Sequence, residues 1–129
     1  MIKMFFKKFF SLIGSFLLFL FGDFDLLLKT ILALMFLDYV TGICKSFIKH
    51  KINSSIGAEG IIKKVTYLCC IAVSVMLDLM LNVDGGLRTL IITTFIFNEI
   101  LSILENSGEI GIKIPNVLYR ALEKINIKE

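Results

Sequence analysis

Three apolar stretches in this chain, 26–44, 65–83 and 87–104, are each long enough to cross a bilayer, and each is broken by a carboxylate: Asp38, Asp78 and Glu99. Each stretch has 18 or 19 residues, and as an α-helix it would measure about 27–29 Å, the thickness of the hydrocarbon core. An ionised side chain at the centre of that core costs about 2.5–3.5 kcal/mol on insertion scales. No Lys or Arg is spaced to lie at the depth of these three groups. The expectation is therefore that the carboxylates turn towards one another or towards water.

The remaining composition leaves room for little else. The chain has 129 residues, 57% of them hydrophobic, and a mean hydropathy of +0.86. One soluble core of this size does not hide so much apolar surface. A single membrane domain over 1–129 is expected, with no separate catalytic domain. The net charge of +3 gives no reason to expect a nucleic-acid partner. Cys44, Cys69 and Cys70 lie in or beside apolar stretches, and their spacing suggests neither a disulfide framework nor a zinc site. They read as small packing residues. No nucleophile–base pairing surrounds the single His50, and no metal cluster or glycine-rich phosphate loop is present. No catalytic residue, metal or cofactor is expected.

Asn82-Val83-Asp84-Gly85-Gly86 is a turn signal, so 65–83 and 87–104 form a tight helical hairpin. The N-terminal segment 5–21 is less clear. It has 17 residues, the lower limit for a span, if Lys7 and Lys8 reach back to the headgroups. Lys3, Lys7, Ser11 and Ser15 also form an i+4 polar stripe, which suits an interfacial helix. The basic start followed by an apolar run resembles a signal peptide, but no small-x-small cleavage site precedes Gly22-Asp23. If 5–21 spans, 12 of the 14 basic residues fall on one side, with only Lys29 and Arg88 opposite. That asymmetry favours four transmembrane helices arranged as two hairpins, with both termini in the cytoplasm. The fold class is then an all-α polytopic membrane protein with a C-terminal amphipathic helix.

Residues 45–64 read as a basic cytoplasmic loop. Lys45, Lys49, Lys51, Lys63 and Lys64, together with Lys7 and Lys8, would set topology and meet anionic lipid at the inner face. Asn53-Ser54-Ser55 offers helix-capping chemistry before a short helix. In the tail, 115–127, Pro115 suits a first helical turn. Val117, Leu118, Ala121, Leu122 and Ile125 then share one face, opposite Arg120, Glu123 and Lys124.

Polar residues recur along the spans. Thr66, Cys70, Ser74, Asp78 and Asn82 are four apart, giving one slowly winding face. Thr94, Asn98, Glu99, Ser102, Glu105 and Asn106 lie roughly on one side of the last span, and Asp38, Thr41 and Gly42 lie together on 26–44. Such positions pack helices closely and hydrogen-bond across the contact. The candidate pore or helix-interface residues are therefore Asp38, Thr41, Gly42, Ser74, Asp78, Thr94, Asn98, Glu99, Ser102 and Glu105. Counted from the outer ends, Asp38 and Glu99 are both about 18 Å deep and can share a layer, whereas Asp78 is only about 7–8 Å deep.

Four strings then appear in order: Leu37-Asp38-Tyr39-Val40-Thr41-Gly42; Ser54-Ser55-Ile56-Gly57-Ala58-Glu59-Gly60 leading to Lys63-Lys64; Asn98 through Asn106; and Ile114-Pro115. From about Gly22 to Ala121 the chain resembles the toxin-secretion/phage-lysis holins (bacteriophage holin family 4). The resemblance implies a protein of the bacterial cytoplasmic membrane that forms large homo-oligomers. These open non-selective lesions that release a cell-wall hydrolase or a large toxin, without direct contact with it. The family-like positions are Asp38, Tyr39, Gly42, Ser55, Gly60, Lys64, Asn98, Glu99, Ser102, Glu105 and Asn106, none with a catalytic role. Two other readings stay open on the residues alone: a small cation or proton channel or transporter subunit, and a non-conducting membrane accessory protein.

Overall fold

The computed structural model describes residues 1–127, without the side chains of 122 and 125–127. Five helices follow one another: α1 (Ile2–Phe21), α2 (Leu26–Ile48), α3 (Ser54–Leu81), α4 (Gly86–Ile110) and α5 (Asn116–Ile127). The first four are long and apolar enough to cross a membrane. The chain is an all-α, multi-pass membrane protein, and no strand occurs among the described residues.

The helices run beyond the stretches that hydropathy marks. α3 starts at Ser54 rather than near residue 65, and its 28 residues measure about 42 Å, longer than a hydrocarbon core of about 30 Å. Hydropathy reports the part of a helix that suits lipid, whereas the backbone ladder continues into the interface until a cap ends it. Here the cap is Asn53, whose side chain accepts from the Ser55 backbone N–H at 3.0 Å. The expected loop 45–64 shortens to the few residues between Ile48 and Ser54. The tail helix matches its expected range closely, but the side chains of Leu122 and Ile125, expected on its apolar face, lie outside the description, as does Lys128.

α4 is the central element. It packs along α2 and, through the hairpin, against α3; α1 leans on α3, and α5 docks on α4. α2 and α4 run parallel in a fixed register. Asp25 meets Arg88, Asp38 meets Ser102 and Lys45 meets Glu109, each partner 63 or 64 positions further along. The apolar core is Leu28, Ile31 and Met35 of α2, Ile71 of α3 and Ile92 of α4. Tyr67 stacks on Phe95 at 4.0 Å between α3 and α4. α1 has no buried residue. Phe21 packs against the core, whereas most of the other α1 side chains are exposed, an arrangement that lipid satisfies as well as protein does.

Candidate functional site

The site is a polar layer set among these apolar helices. Asp38 of α2 lies at its centre. Its Oδ2 accepts from Lys64 Nζ at 2.6 Å, and its Oδ1 accepts from Ser102 Oγ at 2.6 Å and Asn106 Nδ2 at 3.2 Å. Asn106 also donates to Thr41 Oγ1 at 3.1 Å. Lys64 Nζ lies 3.3 Å from Glu99 Oε2. That is an ion-pair distance, yet Glu99 Oε2 is buried and accepts no hydrogen bond. Two carboxylates thus share one ammonium. All three side chains are withdrawn from the surface, with Lys64 at 15%, Asp38 at 13% and Glu99 at 3% exposure.

Lys64 corrects the expectation that no cation lies at the depth of Asp38 and Glu99. The expectation assigned it to the membrane surface, one position before the apolar stretch 65–83. Asp38 is deep when counted from the outer end of its span but only six residues, about 9 Å, from residue 44. Because α3 is already helical at Lys64, the side chain has a fixed direction, and its flexible stem carries the ammonium to that level. The expected sharing of a layer by Asp38 and Glu99 does occur, with Lys64 between them.

Gly42 faces Asn106, and a Cβ there would meet its Nδ2 at 3.8 Å, an ordinary contact, so the approach of α2 to α4 does not require glycine at this position. Beyond the layer, Lys45 reaches Glu109 at 3.6 Å. The other sequence candidates lie elsewhere. Asp78 spends both oxygens on α4, accepting from the Leu87 and Arg88 backbone N–H groups at 2.9 Å each. A carboxylate at a helix start satisfies donors that have no intrahelical partner. Ser74 is buried, and its hydroxyl returns to the Ile71 carbonyl at 2.6 Å. Thr94 bonds back to the Leu90 carbonyl. Asn98 is half-buried and Glu105 is exposed. The expected single face on α3 does not hold: Ser74 and Asp78 are buried, while Thr66, Cys70 and Asn82 are exposed. Four residues overshoot a turn by about 40°, so five such positions drift off any one contact. Lys7, Lys8, Lys49, Lys51 and Lys63 are all exposed.

A second cluster, at the opposite end, was missed by sequence reasoning. Arg88 donates through Nε to the Phe21 carbonyl at 2.7 Å, through Nη1 to Asp25 Oδ2 at 2.8 Å, and through Nη2 to the Asp23 carbonyl at 3.0 Å and Asp25 Oδ1 at 3.1 Å. The forked guanidinium clasps the first hairpin turn to the start of α4. Asp25 also caps α2 through the Leu28 N–H. Its hydrogen bond with Arg88 is the main reason its carboxyl titrates below the ordinary range. Gly22 sits at φ 75, and a Cβ there would lie 3.0 Å from Arg88 Nε. The available signal was the lone Arg88 among apolar residues, opposite the short acidic turn.

The site offers charge and hydrogen bonds. Among the described residues no three His, Cys, Asp or Glu side chains are arranged to hold a metal ion. Comparison with known proteins gives concordant results. The sequence profile of the bacteriophage holin family matches residues 15–126. An uncharacterized 14.9 kDa protein in the nagH 3' region of Clostridium perfringens is 42% identical, covering 91% of this chain and 89% of its own length. The uncharacterized protein Lmo0128 of Listeria monocytogenes is 35% identical, covering 81% of this chain and 75% of its own length. The uncharacterized protein YqxH of Bacillus subtilis is 33% identical over 79% of this chain and 74% of its own length. No solved structure matches. With the profile covering most of the chain, the polar layer included, the protein belongs to the bacteriophage holin family.

Proposed function

We propose that this chain acts as a holin. It accumulates in the bacterial cytoplasmic membrane with both termini in the cytoplasm and associates into large homo-oligomers. These open lesions through which a cell-wall hydrolase or a large toxin leaves, without contacting the chain. The observation that carries this reading is the buried layer of Asp38, Lys64, Glu99, Ser102 and Asn106 in a chain of this family. Polar groups at that depth hydrogen-bond between helices when the array is closed and tolerate water when it opens. Four helices cannot enclose a passage wide enough for a folded enzyme, so many copies must share the wall.

Co-expression with a cytoplasmic cell-wall hydrolase lacking its own export signal tests the reading. Culture turbidity should collapse abruptly, and the hydrolase should appear outside the cells. Steady growth, with the chain present in the membrane, would refute it. Asp38→Asn combined with Glu99→Gln should alter dye release from liposomes; unchanged assembly and leakage would remove the layer from the mechanism.

A second reading is a small cation or proton channel subunit. It is favoured by the buried Glu99 oxygen that accepts no hydrogen bond and by the surplus of carboxylate over ammonium. Ion-selective currents with exclusion of large dyes would support it over lesion formation.

A further inference from the structure

α2 and α3 make few close approaches to each other, among them Tyr39 Oη at 3.7 Å from where a Gly57 Cβ would sit. Between the last three turns of α2 and the first three of α3 lies a cavity of about 700 Å³, floored by Asp38, Lys64, Ser102 and Asn106. Its walls are mostly apolar: Ile43, Phe47, Ile56 and Ile61 line it, each at least 41% exposed, with Ser46, Asn53 and Ser54 between them. Gly60 lies in the wall, and no atom comes within 4 Å of where its Cβ would sit. The gap therefore reaches the α3 backbone.

The mouth is positively charged. Lys45 and Lys63 both line it. Lys45 is held only at 3.6 Å from a half-exposed Glu109, and Lys63 has no carboxylate partner among the described residues. The one carboxylate in the lining, Asp38, is already engaged by Lys64, Ser102 and Asn106. The level is also defined. A hydrocarbon core accommodates about 20 helical residues, and 20 counted back from Leu81 along α3 reach Ile62. Lys63 is thus at the boundary where headgroups begin.

An apolar slot flanked by Lys63, which has no carboxylate partner among the described residues, and by Lys45, shared with a half-exposed Glu109, matches an amphiphile of negative charge. We propose that this cavity is a binding site for one anionic phospholipid, with its phosphodiester between Lys45 and Lys63 and one acyl chain lying past Gly60 between the walls of α2 and α3. A free phosphate would gain nothing from the apolar walls. A neutral lipid would gain nothing from the lysines. The proposal gives a location to the contact with anionic lipid expected of the basic segment, and it does not depend on lesion formation.

The test uses the full chain in phosphatidylcholine vesicles containing a trace of phosphatidylglycerol with a photoreactive acyl chain. Labelled residues are mapped by mass spectrometry. The expected label falls on Ile43–Phe47 and Ile56–Lys64, and excess unlabelled phosphatidylglycerol removes it while phosphatidylcholine does not. Lys63→Gln should weaken competition about fivefold, and Lys45→Gln with Lys63→Gln about twentyfold or more. Gly60→Leu fills the slot without changing charge and should abolish labelling there while helicity by circular dichroism is retained. Equal labelling by a photoreactive phosphatidylcholine overturns the proposal, as does competition by inorganic phosphate alone or labelling spread evenly over the lipid-facing helices. If a variant does not fold, the wild-type comparison of the two probes still decides. The lysis assay is read separately, so failure here leaves the holin reading standing.

Discussion

At the scale of single residues, the Asp38–Lys64–Glu99 cluster and the Arg88 clasp differ in what their loss would do. Removing the ammonium by Lys64→Met leaves two buried carboxylates facing each other, and losing one partner of a buried ion pair costs about 3–5 kcal/mol. Lys64→Met is expected to lower the unfolding midpoint sharply in detergent, followed by circular dichroism, and adding Asp38→Asn should recover much of the loss. A double variant no better than Lys64→Met would show that the pairing is not what Lys64 contributes. Asp25 lies just before the second span, and its pairing with Arg88 responds to acid. Arg88 depresses the Asp25 carboxyl below its ordinary 3.8. The stabilisation this represents is fully present above that value and is lost as pH falls through the depressed one. The stability difference between the wild type and Asp25→Asn should therefore be constant above pH 3.8 and shrink below it, as measured by thermal melts across an acid series.

At the scale of elements, the sequence and the structure agree where hydropathy carries the information and part where it does not. The hairpin of α3 and α4 was readable because Asn82-Val83-Asp84-Gly85-Gly86 interrupts apolar sequence, and Asn82, Asp84 and Gly85 do adopt positive φ. The length of α3 was not readable. Its first turns carry Glu59, Lys63 and Lys64, charges that a hydropathy scan assigns to a loop, although a helix can carry them into the interface without penalty. The pairing of Lys64 was hidden for the same reason: without the helix its direction is undefined. α5 was legible as an amphipathic helix, but its docking was not. Tyr119 donates its hydroxyl to the Leu104 carbonyl at 2.8 Å and packs 3.3 Å from where a Gly108 Cβ would sit. Tyr119→Phe should raise amide hydrogen exchange across α5 several-fold while leaving α2 and α4 protected, because the change removes the strut and not the bundle. Unchanged exchange in α5 would mean that its apolar face, rather than this bond, holds it.

At the scale of the whole molecule, the core is small and the outer surface is apolar, so lipid rather than burial in protein accounts for most of the hydrophobic residues. Such a bundle depends on specific polar ties for its geometry, and those between α2 and α4 lie at both ends and in between: Asp25 with Arg88, Asp38 with Ser102, and Lys45 with Glu109. One added residue between Asp25 and Asp38 would rotate everything after it by about 100°, swinging Asp38 out of its nest while the clasp stayed closed. A compensating addition between Arg88 and Ser102 would swing the partner by the same angle. The two rods are geared together like a rack and its pinion, and evolution can lengthen this stretch only by editing both at once.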